Sequence, residues 1–102
     1  MAKVKVATKS ELTEGKIKKV VVGKEPVALF NVRGDIFATS NICTHEDCHL
    51  DENHRIEGDI VECTCHGSQF DIKTGKVVLA PAVEDLKTYK ISVEGDEVFI
   101  ES

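Results

Sequence analysis

Short apolar runs alternate with polar residues along most of this 102-residue chain. A period of two is the pattern of strands that bury one face. We predict strands at residues 3–7, 17–22, 26–32, 36–39, 60–62, 69–72, 76–79, 86–93 and 97–100. Glycine-containing turns such as Gly23-Lys24 separate these runs. About eight to ten short strands at this spacing indicate an all-β sandwich or barrel, and the length favours a single domain over residues 1–102.

No helix longer than two turns is predicted. Residues 8–15 form a predicted turn or single helical turn. Thr8 and Glu11 have the spacing of a capping box, and Ser10 is a second possible cap.

Charge is unevenly spread along the chain, whose formal net value is −5. Residues 1–24 carry seven Lys against two Glu, a balance of +5, whereas residues 41–72 carry eight acidic residues against Arg55, a balance of −7. The net value argues against nucleic-acid binding. An acidic surface favours docking to a basic partner; alternatively, these carboxylates only aid solubility.

No apolar run approaches the roughly 18 residues of a membrane span. The N-terminus also lacks the apolar region of a signal peptide. We therefore expect a cytoplasmic protein that does not contact a membrane.

All four Cys and all four His lie within residues 43–66. A disulfide scaffold would spread its Cys along the chain, so interleaved His residues favour a metal site. Cys43-x-His45 is followed, after seventeen residues, by Cys63-x₂-His66. One thiolate and one imidazole from each of two loops form the ligand set of a [2Fe–2S] centre in which two His replace two Cys on one iron. Cys43 and Cys63 would then bind one iron, and His45 and His66 the other.

Two segments carry a family resemblance. Residues 43–48 (CTHEDC) and 63–68 (CTCHGS) resemble the two cluster-binding boxes of the Rieske family, and residues 71–76, Pro81 and residues 86–89 resemble Rieske-type ferredoxins. The resemblance covers nearly the whole chain. It implies one Rieske [2Fe–2S] cluster and a β-sandwich or barrel base with a small cluster-binding subdomain near residues 41–72. A third loop at residues 79–82, containing Pro81, would shield the cluster.

Cys48 and Cys65 are additional to the ligands. They occupy the positions at which the quinol-oxidising branch of the family forms a disulfide between the two loops. The resemblance therefore implies a Cys48–Cys65 disulfide, with two buried thiols as the alternative. Such a bridge would close a loop of roughly 18 residues and stabilise the fold by about 3 kcal/mol. In its charged residues 49–52 and its missing membrane anchor, the chain resembles the small soluble ferredoxins instead.

The same resemblance implies residues that surround the cluster and tune its potential. Ser68 stands where high-potential members donate a hydroxyl hydrogen bond to a bridging sulfide. Phe70 stands where those members carry a Tyr. Gly67 would let the backbone pass close to the cluster, and Pro81 would cover it. The Ser68 hydrogen bond would be present and the one from the Tyr absent. We therefore predict a reduction potential between those of the quinol-oxidising branch and of the small soluble ferredoxins.

Other site chemistries are less consistent with the spacing. A structural zinc module could use two Cys and two His, but zinc fingers usually place both Cys of a pair within two to four residues. A thiol redox enzyme using Cys63-x-Cys65 lacks a following helix N-terminus. His49 and His54 are predicted to be exposed loop histidines.

These features together predict a soluble one-electron carrier and not an enzyme in its own right. Its partners would be a reductase and an oxygenase or other terminal oxidoreductase, docked through the acidic face around the cluster. We expect a monomer. The alternative is a non-catalytic subunit of a larger oxidoreductase, similar to the small subunit of some nitrite reductases.

Overall fold

Two antiparallel sheets make up the fold. The computed structural model describes residues 3–43, 48–65, 67–80 and 82–101. The strands are β1 (Lys3–Thr8), β2 (Ile17–Val22), β3 (Glu25–Val32), β4 (Asp35–Ser40), β5 (His54–Glu57), β6 (Ile60–Cys63), β7 (Ser68–Asp71), β8 (Val77–Leu79), β9 (Thr88–Glu94) and β10 (Glu97–Glu101). A short 3₁₀ helix covers Lys9–Glu11. No helix in these residues is long and apolar enough to cross a membrane.

The larger sheet has the strand order β1-β10-β9-β4-β3-β2, so β1 and β2 are its edges. Lysines occupy both edge strands, at Lys3 and Lys5 of β1 and at Lys18 and Lys19 of β2. Charged side chains on an edge discourage pairing with another chain. This placement gives the basic N-terminal segment a structural role.

The smaller sheet is a meander with the order β5-β6-β7-β8. Cys63 at the end of β6 pairs with His54 of β5 and with Ser68 of β7. The predicted second ligand loop is therefore the connection between β6 and β7.

Strand β3 joins the two halves because both of its faces are buried. Val27 and Leu29 point into a core within the larger sheet, whereas Ala28 and Phe30 point into a second core. That second core also contains Phe70 and both predicted ligand cysteines, together with Leu50, Val61 and Ile72. The predicted site thus lies against an apolar layer shared by the two sheets.

The predicted all-β fold is confirmed, with strand limits that differ by a few residues. The prediction missed β5 because its sequence, His-Arg-Ile-Glu, shows no apolar run. The prediction that His54 is an exposed loop residue is therefore wrong. His54 lies half-buried in β5, and its Nδ1 is 2.7 Å from the carbonyl oxygen of Leu50. The single-domain prediction and the subdomain at residues 41–72 stay predictions; the smaller sheet itself ends at Leu79.

The predicted helical turn is the 3₁₀ helix. The backbone N–H of Thr8 donates to Oε1 of Glu11 at 3.0 Å, as a capping box requires. Ser10 has a different role: its hydroxyl donates to Oδ2 of Asp96 at 3.0 Å. Ser10 thereby ties the 3₁₀ helix to the turn between β9 and β10.

A hydrogen-bonded group links β3 to β9. The hydroxyl of Tyr89 donates to Oε1 of Glu25 at 2.5 Å, and Nζ of Lys87 donates to the same oxygen at 2.7 Å. Partial burial, and then the hydrogen bond to Glu25, raise the pKa of Tyr89 well above its ordinary value.

Tyr89 is therefore expected to stay neutral at alkaline pH values at which an ordinary tyrosine ionises. Its contribution to stability is complete below the pKa of the unfolded chain and is lost as pH rises through the folded pKa. Phenolate absorbance during an alkaline titration reports this residue alone, because it is the single Tyr and Trp is absent. Subtracting the absorbance change of Tyr89→Phe, measured in the same titration, removes the contribution of every other group. In Glu25→Gln the titration should move to lower pH; an unchanged curve would contradict the link.

Candidate metal centre

The first ligand loop leaves the larger sheet after β4. Cys43 is only 2 % exposed. Its backbone N–H donates to the carbonyl of Cys48 at 2.9 Å, and Ile42 pairs with His49 as an isolated bridge. These contacts make the loop a narrow hairpin. Residues 44–47, which include the predicted ligand His45, lie outside the described residues.

His49 belongs to this hairpin, and its predicted exposure is wrong. Its side chain is half-buried. Its carbonyl accepts hydrogen bonds from the backbone N–H groups of Glu52 and Asn53 at 3.2 and 3.1 Å. The residues after Cys48 therefore fold into a tight turn before β5.

The second ligand loop connects β6 to β7. Cys63 is 1 % exposed and its carbonyl accepts the N–H of Gly67 at 2.8 Å, which closes the turn. Gly67 has a φ of +83°, a conformation that other residues rarely adopt. A Cβ added there would come no nearer than 4.0 Å to the described atoms, where it would meet Glu62 Oε2. The backbone conformation, and not a close approach among described atoms, therefore requires Gly67. The predicted ligand His66 lies outside the described residues.

A disulfide joins Cys48 of the first loop to Cys65 of the second, as the family resemblance implied. Cys48 is buried and Cys65 is exposed. The sulfur atoms of Cys48, Cys63 and Cys65 lie within 4.8 Å of one another. The bridge therefore holds the two loops together directly beside Cys63.

Cys43 and Cys63 are outside the disulfide and present one sulfur in each loop. Both lie in the apolar core with Phe70. Thiolates of this kind suit iron–sulfur ligation, and a dry, apolar surrounding is the environment that tunes such a centre. The burial and the chemistry of these two cysteines suit the thiolate half of a [2Fe–2S] site. The binding of one iron by both sulfurs stays a prediction, as does the imidazole half.

The third loop is tied to the second through Ser68. Ser68 is buried, and its Oγ accepts the backbone N–H of Ala82 at 3.0 Å. Pro81 lies outside the described residues, so its predicted covering role stays a prediction. Phe70 is fully buried on β7, and its ring supplies no hydroxyl to the site.

We expect Ser68→Ala to lower the reduction potential by on the order of 60 mV. A hydroxyl that accepts one hydrogen bond keeps its own proton to donate. A hydrogen bond to a charged group is worth about 1.5 kcal/mol, and 1.4 kcal/mol corresponds to about 59 mV for one electron. A redox titration measures the shift. Ser92→Ala on β9 is the control, and its potential should match wild type. An unchanged potential in Ser68→Ala would show that the hydroxyl does not act on the centre.

Asn41 is a buried polar residue near the site that the sequence did not reveal. It is fully buried, two residues before Cys43, and pairs with Asp51. No pattern in the sequence distinguishes this Asn from one on a solvated loop, because its partner is ten residues further along the chain.

Several acidic residues of the site region are engaged within the fold. Asp59 accepts a hydrogen bond from Arg33 at 2.7 Å, which holds the pKa of its carboxyl below the ordinary value. Asp71 Oδ1 accepts the backbone N–H groups of Lys73 and Thr74 at 2.8 and 3.1 Å. Part of the −7 balance is thus compensated internally, and the acidic docking face stays a prediction.

A sequence model of the Rieske [2Fe-2S] domain matches residues 2–90. The chain belongs to the Rieske [2Fe–2S] family. It is 38 % identical over 101 residues to the ferredoxin component of biphenyl 2,3-dioxygenase from Rhodococcus jostii (strain RHA1), covering 99 % of this chain and 94 % of that protein. It is 37 % identical over 91 residues to the ferredoxin component of a naphthalene 1,2-dioxygenase system from Pseudomonas aeruginosa, covering 89 % and 86 %.

Solved Rieske structures have the same fold. The ferredoxin of Sphingomonas yanoikuyae B1 superimposes with a TM-score of 0.93 at 32 % identity, covering 99 % of each chain. A chain in the complex of reduced oxygenase and oxidized ferredoxin in carbazole 1,9a-dioxygenase gives a TM-score of 0.89 at 32 % identity, covering 96 % of this chain and all of that chain. These matches support a cluster of the Rieske type over the zinc alternative.

Proposed function

We propose that this chain is a one-electron carrier that uses one Rieske cluster, held by Cys43, His45, Cys63 and His66. It takes an electron from a reductase and delivers it to the oxygenase of an aromatic-ring dioxygenase system. The observation that carries the proposal is the pair of buried cysteines, Cys43 and Cys63, that do not take part in the disulfide between the loops. The ferredoxin relatives span nearly the same length, which supports a carrier over a catalytic protein.

Each group has a distinct task. The cluster supplies reversible one-electron chemistry when it is bound. Cys43 and Cys63, which are buried, would hold it together with His45 and His66. The Cys48–Cys65 bridge keeps the two loops at a fixed separation. Ser68 holds the third loop over the site through Ala82.

We also propose that the partner docks on the surface beside the third loop. Val78, Leu79 and Val83 are exposed by 52 %, 50 % and 88 %. Exposed large apolar side chains in a cluster mark interaction sites. Gln69 pairs with both Leu79 and Glu62, so a carboxylate lies on the same face of the smaller sheet as Leu79. A partner surface with an apolar centre and a basic rim would fit. The monomeric state and cytoplasmic location stay predictions.

A redox titration followed by visible and electron paramagnetic resonance spectroscopy tests the carrier function. The purified protein should show a Rieske spectrum and take up one electron per chain between roughly −150 and +300 mV. His66→Ser should lose this spectrum. His54→Ser is the matched control, because His54 lies in β5 and is not a proposed ligand. A retained spectrum in His66→Ser would refute the ligand set. A colourless wild-type protein would refute the cluster and favour zinc.

Val83→Lys is expected to slow electron delivery about tenfold or more without changing the spectrum. The side chain is 88 % exposed, so the substitution places a charge in the proposed apolar contact at little cost to folding. The measurement is the rate at which a purified aromatic-ring oxygenase oxidises the reduced protein. Val93→Lys, near the β9–β10 turn, is the control and should keep the wild-type rate. Equal rates for both variants would exclude this docking surface.

A further inference from the structure

Asn41 closes the base of the first ligand loop. Asn41 follows the last residue of β4, and the chain comes back against it at Asp51 before entering β5. The side-chain amide of Asn41 donates from Nδ2 to Oδ1 of Asp51 at 2.6 Å, and its Oδ1 accepts the backbone N–H of Asp51 at 2.9 Å. Its backbone carbonyl accepts the N–H of Leu50 at 2.7 Å, and its own N–H donates to the carbonyl of Pro26 on β3 at 3.0 Å. Four hydrogen bonds therefore converge on one fully buried residue.

We propose that Asn41 is a positioning residue that fixes Cys43, the described ligand of the first loop, relative to the second loop. The inference rests on the proposed ligand set. Three of the four bonds join the two ends of the segment that contains Cys43 and Cys48. The fourth joins this base to β3, whose buried faces contact both cores. The first loop is thus anchored to the larger sheet at its base and to the second loop by the disulfide.

The chemistry at this position suits asparagine in particular. A planar amide offers N–H donors and a carbonyl acceptor side by side. The donor meets the carboxylate of Asp51, and the acceptor meets the N–H of the same residue. Aspartate at position 41 would accept the N–H but could not donate when ionised, and it would set two carboxylates against each other. Alanine would leave buried polar groups of Asp51 without this partner.

Loss of this closure predicts a specific defect. The loop would keep its disulfide at Cys48 and the two backbone hydrogen bonds of residue 41. It would lose the two side-chain hydrogen bonds to Asp51, two residues before Cys43. Cys43 would then sample positions away from the geometry that the second loop sets. Small errors in ligand position are costly at a metal site, since its supporting contacts determine ligand geometry.

The test compares Asn41→Ala with Asn31→Ala. Asn31 is a matched control because its side chain also makes two hydrogen bonds, donating to the carbonyl of Leu12 and accepting the N–H of Gly34, both at 2.8 Å. It lies near the far end of β3, away from the ligand loops. In Asn41→Ala the visible absorbance should decay at least tenfold faster in the presence of an iron chelator, with shifted electron paramagnetic resonance g values. Asn31→Ala should decay within about twofold of wild type, with unchanged g values.

Two further variants separate positioning from general instability. Asn41→Asp should behave like Asn41→Ala, whereas Asn41→Asp combined with Asp51→Asn restores a donor opposite the acceptor. The double variant should bring the decay rate back towards wild type. Asp51→Ala, at a half-buried position, keeps the test available if the Asn41 variants do not fold, and it should also accelerate decay. Equal decay rates and g values in the Asn41, Asp51 and Asn31 variants would overturn the proposal.

Alkylation of cluster-free protein gives a readout that does not depend on the carrier function. Cys43 is buried in the closed loop, so a thiol reagent should modify it slowly in wild type and in Asn31→Ala. In Asn41→Ala, the reagent should modify Cys43 at least tenfold faster than it modifies Cys63. A wild-type protein that bound no cluster would refute the proposed function, yet selective protection of Cys43 would still support the role of Asn41. Equal alkylation of Cys43 in all variants would refute it.

Discussion

Gly75→Ala is expected to lower the free energy of unfolding by about 3 kcal/mol or more. Gly75 has a φ of +77°, and a Cβ there would lie 2.2 Å from the backbone carbonyl oxygen of Leu86. A non-glycine residue in this conformation costs roughly 1 kcal/mol or more, and overpacking costs about 1–3 kcal/mol. Because the obstructing atom belongs to the backbone, a side-chain rotation cannot relieve the clash.

The clash falls on a junction that supports the site. The N–H of Leu86 donates to the carbonyl of Gly75, and the N–H of Gly75 donates to the carbonyl of Asp71, both at 2.7 Å. These bonds join the turn after β7 to the segment that follows the third loop. Separating them would also strain the contact between Ser68 and Ala82. We therefore expect faster cluster loss together with the lower stability.

Chemical denaturation measures the change in unfolding free energy. Gly23→Ala is the matched control, since Gly23 also has a positive φ, +64°, but nothing lies within 4 Å of its added Cβ. The control isolates the conformational cost and should lose only about 1 kcal/mol. Equal losses in the two variants would show that the contact with Leu86 does not matter.

Removing the Cys48–Cys65 disulfide, by changing both residues to Ser, is expected to cost about 3 kcal/mol. The bridge spans a sequence separation of 17, for which chain entropy predicts this magnitude. Among the described residues, the backbone N–H of Thr64 in the second loop also donates to the carbonyl of Asn53, after the first loop, at 3.1 Å. Without the bridge the unfolded chain gains freedom, and the loops can separate beside Cys63.

Denaturant unfolding and the rate of cluster loss together test this expectation. Wild type treated with a reductant should approach the double Ser variant in both measurements, because the exposed Cys65 gives the reductant access to the bridge. The same reductant should leave the double variant unchanged, which controls for direct effects on the cluster. If the double variant unfolded at the wild-type denaturant concentration, the disulfide would not be a stabilising element.

The sequence by itself determined the class of fold and the resemblance of the site to that of the Rieske family. Alternation of apolar and polar residues located nine of the strands, because a half-buried strand repeats its pattern every two residues. The two cysteine–histidine boxes indicated the Rieske family, which the family match confirmed. The same resemblance implied the Cys48–Cys65 pairing that the structure contains. These features are encoded in adjacent residues, so a local pattern is enough to find them.

Only the tertiary structure decided the contacts that hold the site. Strand β5 is polar in sequence and becomes a strand because β6 provides its hydrogen-bonding partner. The partners of Asn41 and Ser68 lie ten and fourteen residues away, and they meet only where the chain returns. Gly75 is constrained by the carbonyl of Leu86, which no spacing rule predicts. Burial and hydrogen-bond partners depend on which segments pack together, and the packing of distant segments is not written in any local pattern.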